Sequence, residues 1–297
     1  MHNQIVLSDR NGVVTNLFQV SNMNQWKTGK IDIQGTHLHY YRSGGSKPAL
    51  VLVHGITDDG LCWSPVADVL SGEHDVIMVD LRGHGKSDAP EGGYDMVTMA
   101  TELLGLITGL GLENPVVMGH SLGAMITLAL AGLTPKLPLA IILEDPPAFW
   151  SASPPSPEEA EIRAEMRMWF DDLKRKTRDE LLEIARSENP AWSEAEFGPW
   201  ADSKHRFSPE ITQMVDHQET VPVDFKTLLD QITCPVLLIT AAPERGAILT
   251  DEDVAELQKS VPHLRRAHIP GAGHNIRREQ FSRYMDIAQG FLSEVRM

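Results

Sequence analysis

The chain has 297 residues, enough to bury a substantial core, and its 42% hydrophobic and 23% charged content is that of an ordinary globular protein. Its formal net charge of -15, with a pI near 5.2, disfavours nucleic acid or another polyanion as the main partner. No apolar stretch approaches the roughly 18 residues that a transmembrane helix needs, and Met1-His2-Asn3-Gln4 lacks the basic and apolar regions of a signal peptide, so a cytoplasmic protein without a membrane partner is expected. Two cysteines, Cys62 and Cys234, are too few for a disulfide framework and read as buried thiols.

Residues 1–28 are polar and weakly patterned and read as an N-terminal arm. From Lys30, the alternation in Ile31-Asp32-Ile33 and Leu38-His39-Tyr40-Tyr41 about Gly35 predicts a hairpin. His37 and His39 share a strand face but have no third ligand nearby, so no metal site is expected there. Ala49-Leu50-Val51-Leu52-Val53 is a continuous apolar run of the kind found in strands covered on both faces. It ends at His54-Gly55-Ile56-Thr57. A helical segment follows through Trp63, Val66, Ala67 and Leu70, and Val76-Ile77-Met78-Val79 returns to a strand.

Arg82-Gly83-His84-Gly85-Lys86-Ser87 superficially resembles a phosphate loop. That motif requires a glycine five residues before Gly-Lys-Ser, where Asp80 stands, so a tight glycine-bearing loop is the better reading. Met96, Met99, Leu103, Leu106, Ile107 and Leu110 have helical spacing, with Gly111 placed to end the helix. Val116-Val117-Met118 then runs into Gly119-His120-Ser121-Leu122-Gly123 and a buried-type helix over 122–133. This is the sequence form of a nucleophile elbow, a strand-to-helix turn so sharp that the serine is forced outward and small residues must flank it.

After the strand at Leu139-Ala140-Ile141-Ile142-Leu143 the composition shifts. Nine of the 19 prolines and four of the six tryptophans lie between Asp145 and Phe225, where no strong apolar strand occurs. Residues 146–225 therefore read as a helical cap, inserted between core segments 29–145 and 226–297. Within it, Met166, Trp169, Phe170 and Leu173 mark an amphipathic helix, and Thr177-Arg178-Asp179-Glu180 a capping box. The strand rhythm resumes at Val236-Leu237-Leu238-Ile239-Thr240. A helix beginning near Thr250, a short strand at Ala267-His268-Ile269, the loop carrying His274 and a last helix through Phe281, Tyr284, Ile287 and Phe291 complete the chain.

A serine nucleophile needs a base, an acid to orient the base, and amide donors for the oxyanion, all gathered at the carboxyl ends of parallel strands. His274, in a glycine-bearing loop after the last strand, is the candidate base. Two carboxylates compete as the acid: Glu244, which follows the strand at 236–240 and gives the order serine, acid, histidine, and Asp145, at the strand end before the cap. Glu244 is the favoured candidate and Asp145 the alternative.

Together, His54-Gly55, Arg82-Gly83-His84-Gly85-Lys86-Ser87, Gly119-His120-Ser121-Leu122-Gly123 and Gly271-Ala272-Gly273-His274 resemble the α/β-hydrolase superfamily, in the right order from about residue 30 to the C-terminus. The resemblance implies an eight-stranded, mostly parallel sheet flanked by helices, with a cap after the sixth strand. It also implies an oxyanion hole at the amides of Ile56 and Leu122. The expected activity is hydrolysis of a small carboxylic ester or lactone through an acyl-enzyme, without a metal or organic cofactor. Phe149, Trp150, Met166, Trp169 and Trp200 of the cap suggest an apolar or aromatic substrate, or else form the cap's own core. The alternatives are an amidase or carbon–carbon bond hydrolase using the same residues, and a small-molecule sensor with little turnover. A homodimer is compatible with the sequence.

Overall fold

A computed structural model describes residues 26–148, 150, 157–216 and 225–296. The expected N-terminal arm falls outside these residues except at its end, because the first strand, β1 (Lys27–Ile33), begins there. It pairs antiparallel with β2 (Thr36–Arg42) through a two-residue loop in which Gln34 and Gly35 both have positive φ. That backbone handedness matches the twist of a tight hairpin. The side chains of the paired histidines are occupied by carboxylates, His37 by Asp88 and His39 by Asp80.

The remaining strands are β3 (Ala49–Val53), β4 (Asp75–Val79), β5 (Val116–His120), β6 (Ala140–Glu144), β7 (Val236–Thr240) and β8 (Arg265–His268). They form one eight-stranded sheet in the order β1-β2-β4-β3-β5-β6-β7-β8, parallel from β4 to β8. Whereas β8, Arg-Arg-Ala-His at the sheet edge, is mostly exposed, the apolar runs of β3 to β7 have a direct structural cause. Successive residues of a strand point to opposite faces, and here both faces are buried. Val51, Val53, Val117, Ile141 and Leu238 join the core under α2 (Met96–Gly109) and α3 (Leu122–Leu133). Leu50, Leu52, Met118, Ile142 and Leu237 join a second core that includes side chains of α1 (Ser64–Leu70) and α11 (Phe281–Val295).

Between β6 and β7 the chain forms α4 (Pro157–Arg175), α5 (Arg178–Glu188), α6 (Glu194–Arg206), a 3₁₀ turn at Pro209–Thr212, α7 (Gln213–Asp216) and α8 (Phe225–Asp230). Helix α5 opens with the expected capping box: the Thr177 hydroxyl accepts from the Glu180 amide while the Glu180 carboxylate accepts from the Thr177 amide. The same device, Thr250 with Asp253, starts α9 (Asp251–Ser260). A four-residue helix, α10 (Ile276–Glu279), precedes α11 and was too short to leave a periodic signal.

The loop that superficially resembles a phosphate loop wraps around an anion of the protein itself. The Asp80 carboxylate accepts from the amides of Gly60 and Lys86 at 2.8 and 3.0 Å and from His39 Nδ1 at 2.9 Å. A side chain at Gly85 would collide with that carboxylate. Asp80 thus occupies the position that a phosphate-binding loop would leave open.

Candidate active site

Residues His120 and Glu144 lie opposite each other in the β5–β6 register, so Ser121 and Asp145 leave the sheet at the same level on neighbouring strands. Both have positive φ, 52° at Ser121 and 42° at Asp145. The strained serine backbone has the geometry expected of a nucleophile elbow, held by the Ser121 amide donating to the Glu144 carbonyl at 2.9 Å. Its glycines are required by space: a Cβ at Gly119 would meet the Gly123 carbonyl, and one at Gly123 would meet the Val53 carbonyl. Helix α3 begins immediately, so the Leu122 N–H sits in the first turn without an intrahelical acceptor. Among the described residues, the Ile56 and Leu122 amides donate to no backbone carbonyl, the condition that an oxyanion hole demands.

His274 lies in the loop between β8 and α10, beside the elbow. Its ring centroid is 4.7 Å from that of His120, and the His120 Nε2 donates to its carbonyl at 3.1 Å. Burial first, then the neighbouring cations, hold His120 well below the usual imidazole range, so it serves as a neutral prop. The His274 Nδ1 donates to Asp145 Oδ2 at 2.7 Å. Asp145 is fully buried and also accepts from the amides of Ile248 at 2.8 Å and Leu249 at 3.2 Å.

This geometry corrects the preferred acid. Glu244 sits on an exposed 3₁₀ turn at Pro243–Arg245, four residues past the end of β7, whereas Asp145 is one residue past the end of β6. The loop after β7 does contribute to the site, but through the backbone amides of Ile248 and Leu249 rather than through the Glu244 carboxylate.

The residues expected to line a substrate pocket lie in different surroundings. Trp150 is buried and its indole N–H donates to the Asp253 carbonyl at 3.0 Å, which fastens it to α9. Met166 packs against the main core, and Trp200 edges onto Trp192 and packs on the same core. Trp169 is 43% exposed beside Phe170. Phe149 lies outside the described residues.

Sequence reasoning missed a buried ionic cluster around the site. Asp58, next to the oxyanion loop, accepts from Lys204 Nζ at 2.8 Å and Arg278 Nη2 at 2.9 Å. Arg278 also bonds Glu196 Oε2 at 3.2 Å, and Glu144 accepts from the Arg277 amide at 2.8 Å and its Nη1 at 3.1 Å. The cations Arg278 and Lys204 hold the Asp58 carboxyl well below the usual range against the opposing effect of burial. At Glu144 burial prevails and pushes the carboxyl up. The available signal was the placing of Asp58-Asp59 directly after His-Gly-Ile-Thr and of Arg277-Arg278 three residues after His274.

The family model described as "Alpha/beta hydrolase family" matches residues 50–283. N-formylmaleamate deformylase of Pseudomonas putida is 28% identical over 250 residues, 84% of this chain and 90% of that protein. A 2-(acetamidomethylene)succinate hydrolase of Mesorhizobium japonicum is 28% identical over 241 residues, 79% of this chain and 84% of the other. Among solved structures, a thermophilic esterase from Thermogutta terrifontis superposes with a TM-score of 0.70 at 26% identity, covering 91% of this chain and all of that one.

Proposed function

The chain belongs to the α/β-hydrolase family, and we propose that it is a serine hydrolase acting on a small carboxylic ester, lactone or amide through an acyl-enzyme. The observation that carries this reading is the 2.7 Å contact between Asp145 and His274 beside the strained Ser121 elbow. Because Nδ1 of His274 is engaged, Nε2 is the free nitrogen and acts as the base. Ser121 Oγ attacks the substrate carbonyl carbon and its proton passes to Nε2. The amides of Ile56 and Leu122 stabilise the oxyanion. Its collapse expels an alcohol or amine that takes the proton from His274, and a water activated by the same imidazole then releases the acid and regenerates the serine.

The ester and lactone reading has support from the esterase similarity. Amide cleavage is favoured by a separate observation: two relatives that align over about four-fifths of the chain, each 28% identical, are, by name, a deformylase of N-formylmaleamate and a hydrolase of 2-(acetamidomethylene)succinate. The deciding experiment is a kcat/KM panel of p-nitrophenyl esters, acyl-homoserine lactones, N-formylmaleamate and 2-(acetamidomethylene)succinate, with Ser121→Ala as control. Turnover of at least one class, abolished in Ser121→Ala, is expected. Equal rates in Ser121→Ala would contradict the proposal, and tight binding without turnover would favour a sensor.

A further inference from the structure

Thr57, the residue after Ile56, has φ 65°. A β-branched side chain in the left-handed region is a true outlier, and such a backbone persists only where surrounding contacts over-determine it. Here the contacts come from a backbone turn, closed by the Asp58 amide donating to the Gly55 carbonyl at 3.2 Å, and from one side chain. Lys204 Nζ donates to the Thr57 carbonyl at 3.2 Å, to the Thr57 hydroxyl at 3.1 Å and to Asp58 Oδ1 at 2.8 Å, which uses all three ammonium hydrogens. Lys204 is 1% exposed and lies 4.7 Å from the centroid of the Trp200 ring. It belongs to α6, between β6 and β7, and reaches the loop after β3. Asp58 meanwhile accepts from Arg278, four residues beyond His274, and Arg278 returns to α6 through Glu196.

We propose that Lys204 is a positioning residue: by holding Thr57 in its left-handed backbone it aims the Ile56 amide at the reacting carbonyl. Seating α6 and completing the oxyanion hole are then one event. The Asp58–Arg278–Glu196 links extend the same coupling to the segment that follows the base. This inference rests on the acyl-transfer reading of Ser121.

The test uses a fluorophosphonate probe on the full chain, for which no natural substrate is needed. Ser121 Oγ bonds to phosphorus, fluoride leaves, the proton passes to His274, and the phosphoryl oxygen occupies the oxyanion hole. In Lys204→Met, Asp58 keeps Arg278 at 2.9 Å and Arg277 at 3.6 Å, so no carboxylate is stranded. The expected result is a fall of about 100-fold in kinact, the scale of one lost oxyanion donor, with KI within about threefold of the parent. Adding Thr57→Gly should recover at least about tenfold of the loss, because glycine adopts positive φ without help. A parental kinact in Lys204→Met, or a loss that Thr57→Gly leaves untouched, overturns the positioning role. Where Lys204→Met lacks the native near-ultraviolet circular dichroism, the Lys204→Met, Asp58→Asn pair removes both charges together and is read in the same way. Absence of Ser121 labelling in the parent would instead overturn the acyl-transfer reading itself.

Discussion

The two sides of the site are held by different means. On the acid side, Asp145 receives two backbone amides from the loop after β7 and His274 is fastened through its own carbonyl, so the support comes from strand ends and the loops joined to them. On the proposed oxyanion side, the strained Thr57 is gripped by the Lys204 side chain, from a helix 147 residues away in sequence. In the proposed mechanism, proton transfer is built into the sheet, while oxyanion stabilisation depends on how α6 is seated. A change in the helices between β6 and β7 should therefore alter transition-state stabilisation before it alters the base.

Mutations that break the acid side should have the largest effects. Ser121→Ala removes the nucleophile, and a fall of about 10⁵- to 10⁶-fold in kcat is expected in steady-state assays. Asp145→Ala should lower kcat by about 10³- to 10⁴-fold, since the imidazole loses both its tautomer and its orientation. A smaller effect, on stability, is expected behind the elbow. Glu144→Gln deprives the fully buried Arg277 of its nearest anion, and urea titration should show a loss of about 3 kcal/mol.

Acidification tests the buried imidazoles that hold the loops. Burial depresses His54 and His120 and takes His84 down to about 3, so the folded protein leaves them neutral where the unfolded chain protonates them. Their contribution is complete above about pH 6.5 and is lost as pH falls below it, by up to about 1.4 kcal/mol per pH unit for each imidazole. Asp59, raised to about 7 by burial and by Asp80, acts in the opposite direction, as do Glu144 and Glu196, both raised by burial, but His74 is depressed as well and the four imidazoles outweigh the three carboxylates. The thermal midpoint should drop between pH 6.5 and 5, and a rising midpoint would contradict this balance. The smallest effect is expected at the exposed Glu244, where Glu244→Ala should leave kcat within about twofold.

The difference between the two sides also explains what could be read from the sequence. The buried strands, the elbow and the capping box at Thr177 follow from periodicity and local hydrogen bonding, so their residues announced them. Choosing between Asp145 and Glu244 required knowing which strand end faces His274, a property of register and of where the Pro243–Arg245 turn points. The grip of Lys204 on Thr57 and Asp58 joins residues whose local patterns say nothing of each other. Tryptophans between β6 and β7 signalled burial, but composition does not tell whether an indole packs on a core or lines a pocket.

The most direct test of the central claim is phosphonylation of Ser121 by a fluorophosphonate, followed by intact-protein and peptide mass spectrometry in the parent, Asp145→Ala and Glu244→Ala proteins. A single adduct on Ser121, formed at least about 100-fold more slowly in Asp145→Ala and at the parental rate in Glu244→Ala, is the predicted outcome. Labelling that is lost in Glu244→Ala and preserved in Asp145→Ala, or an adduct on another residue, would contradict it.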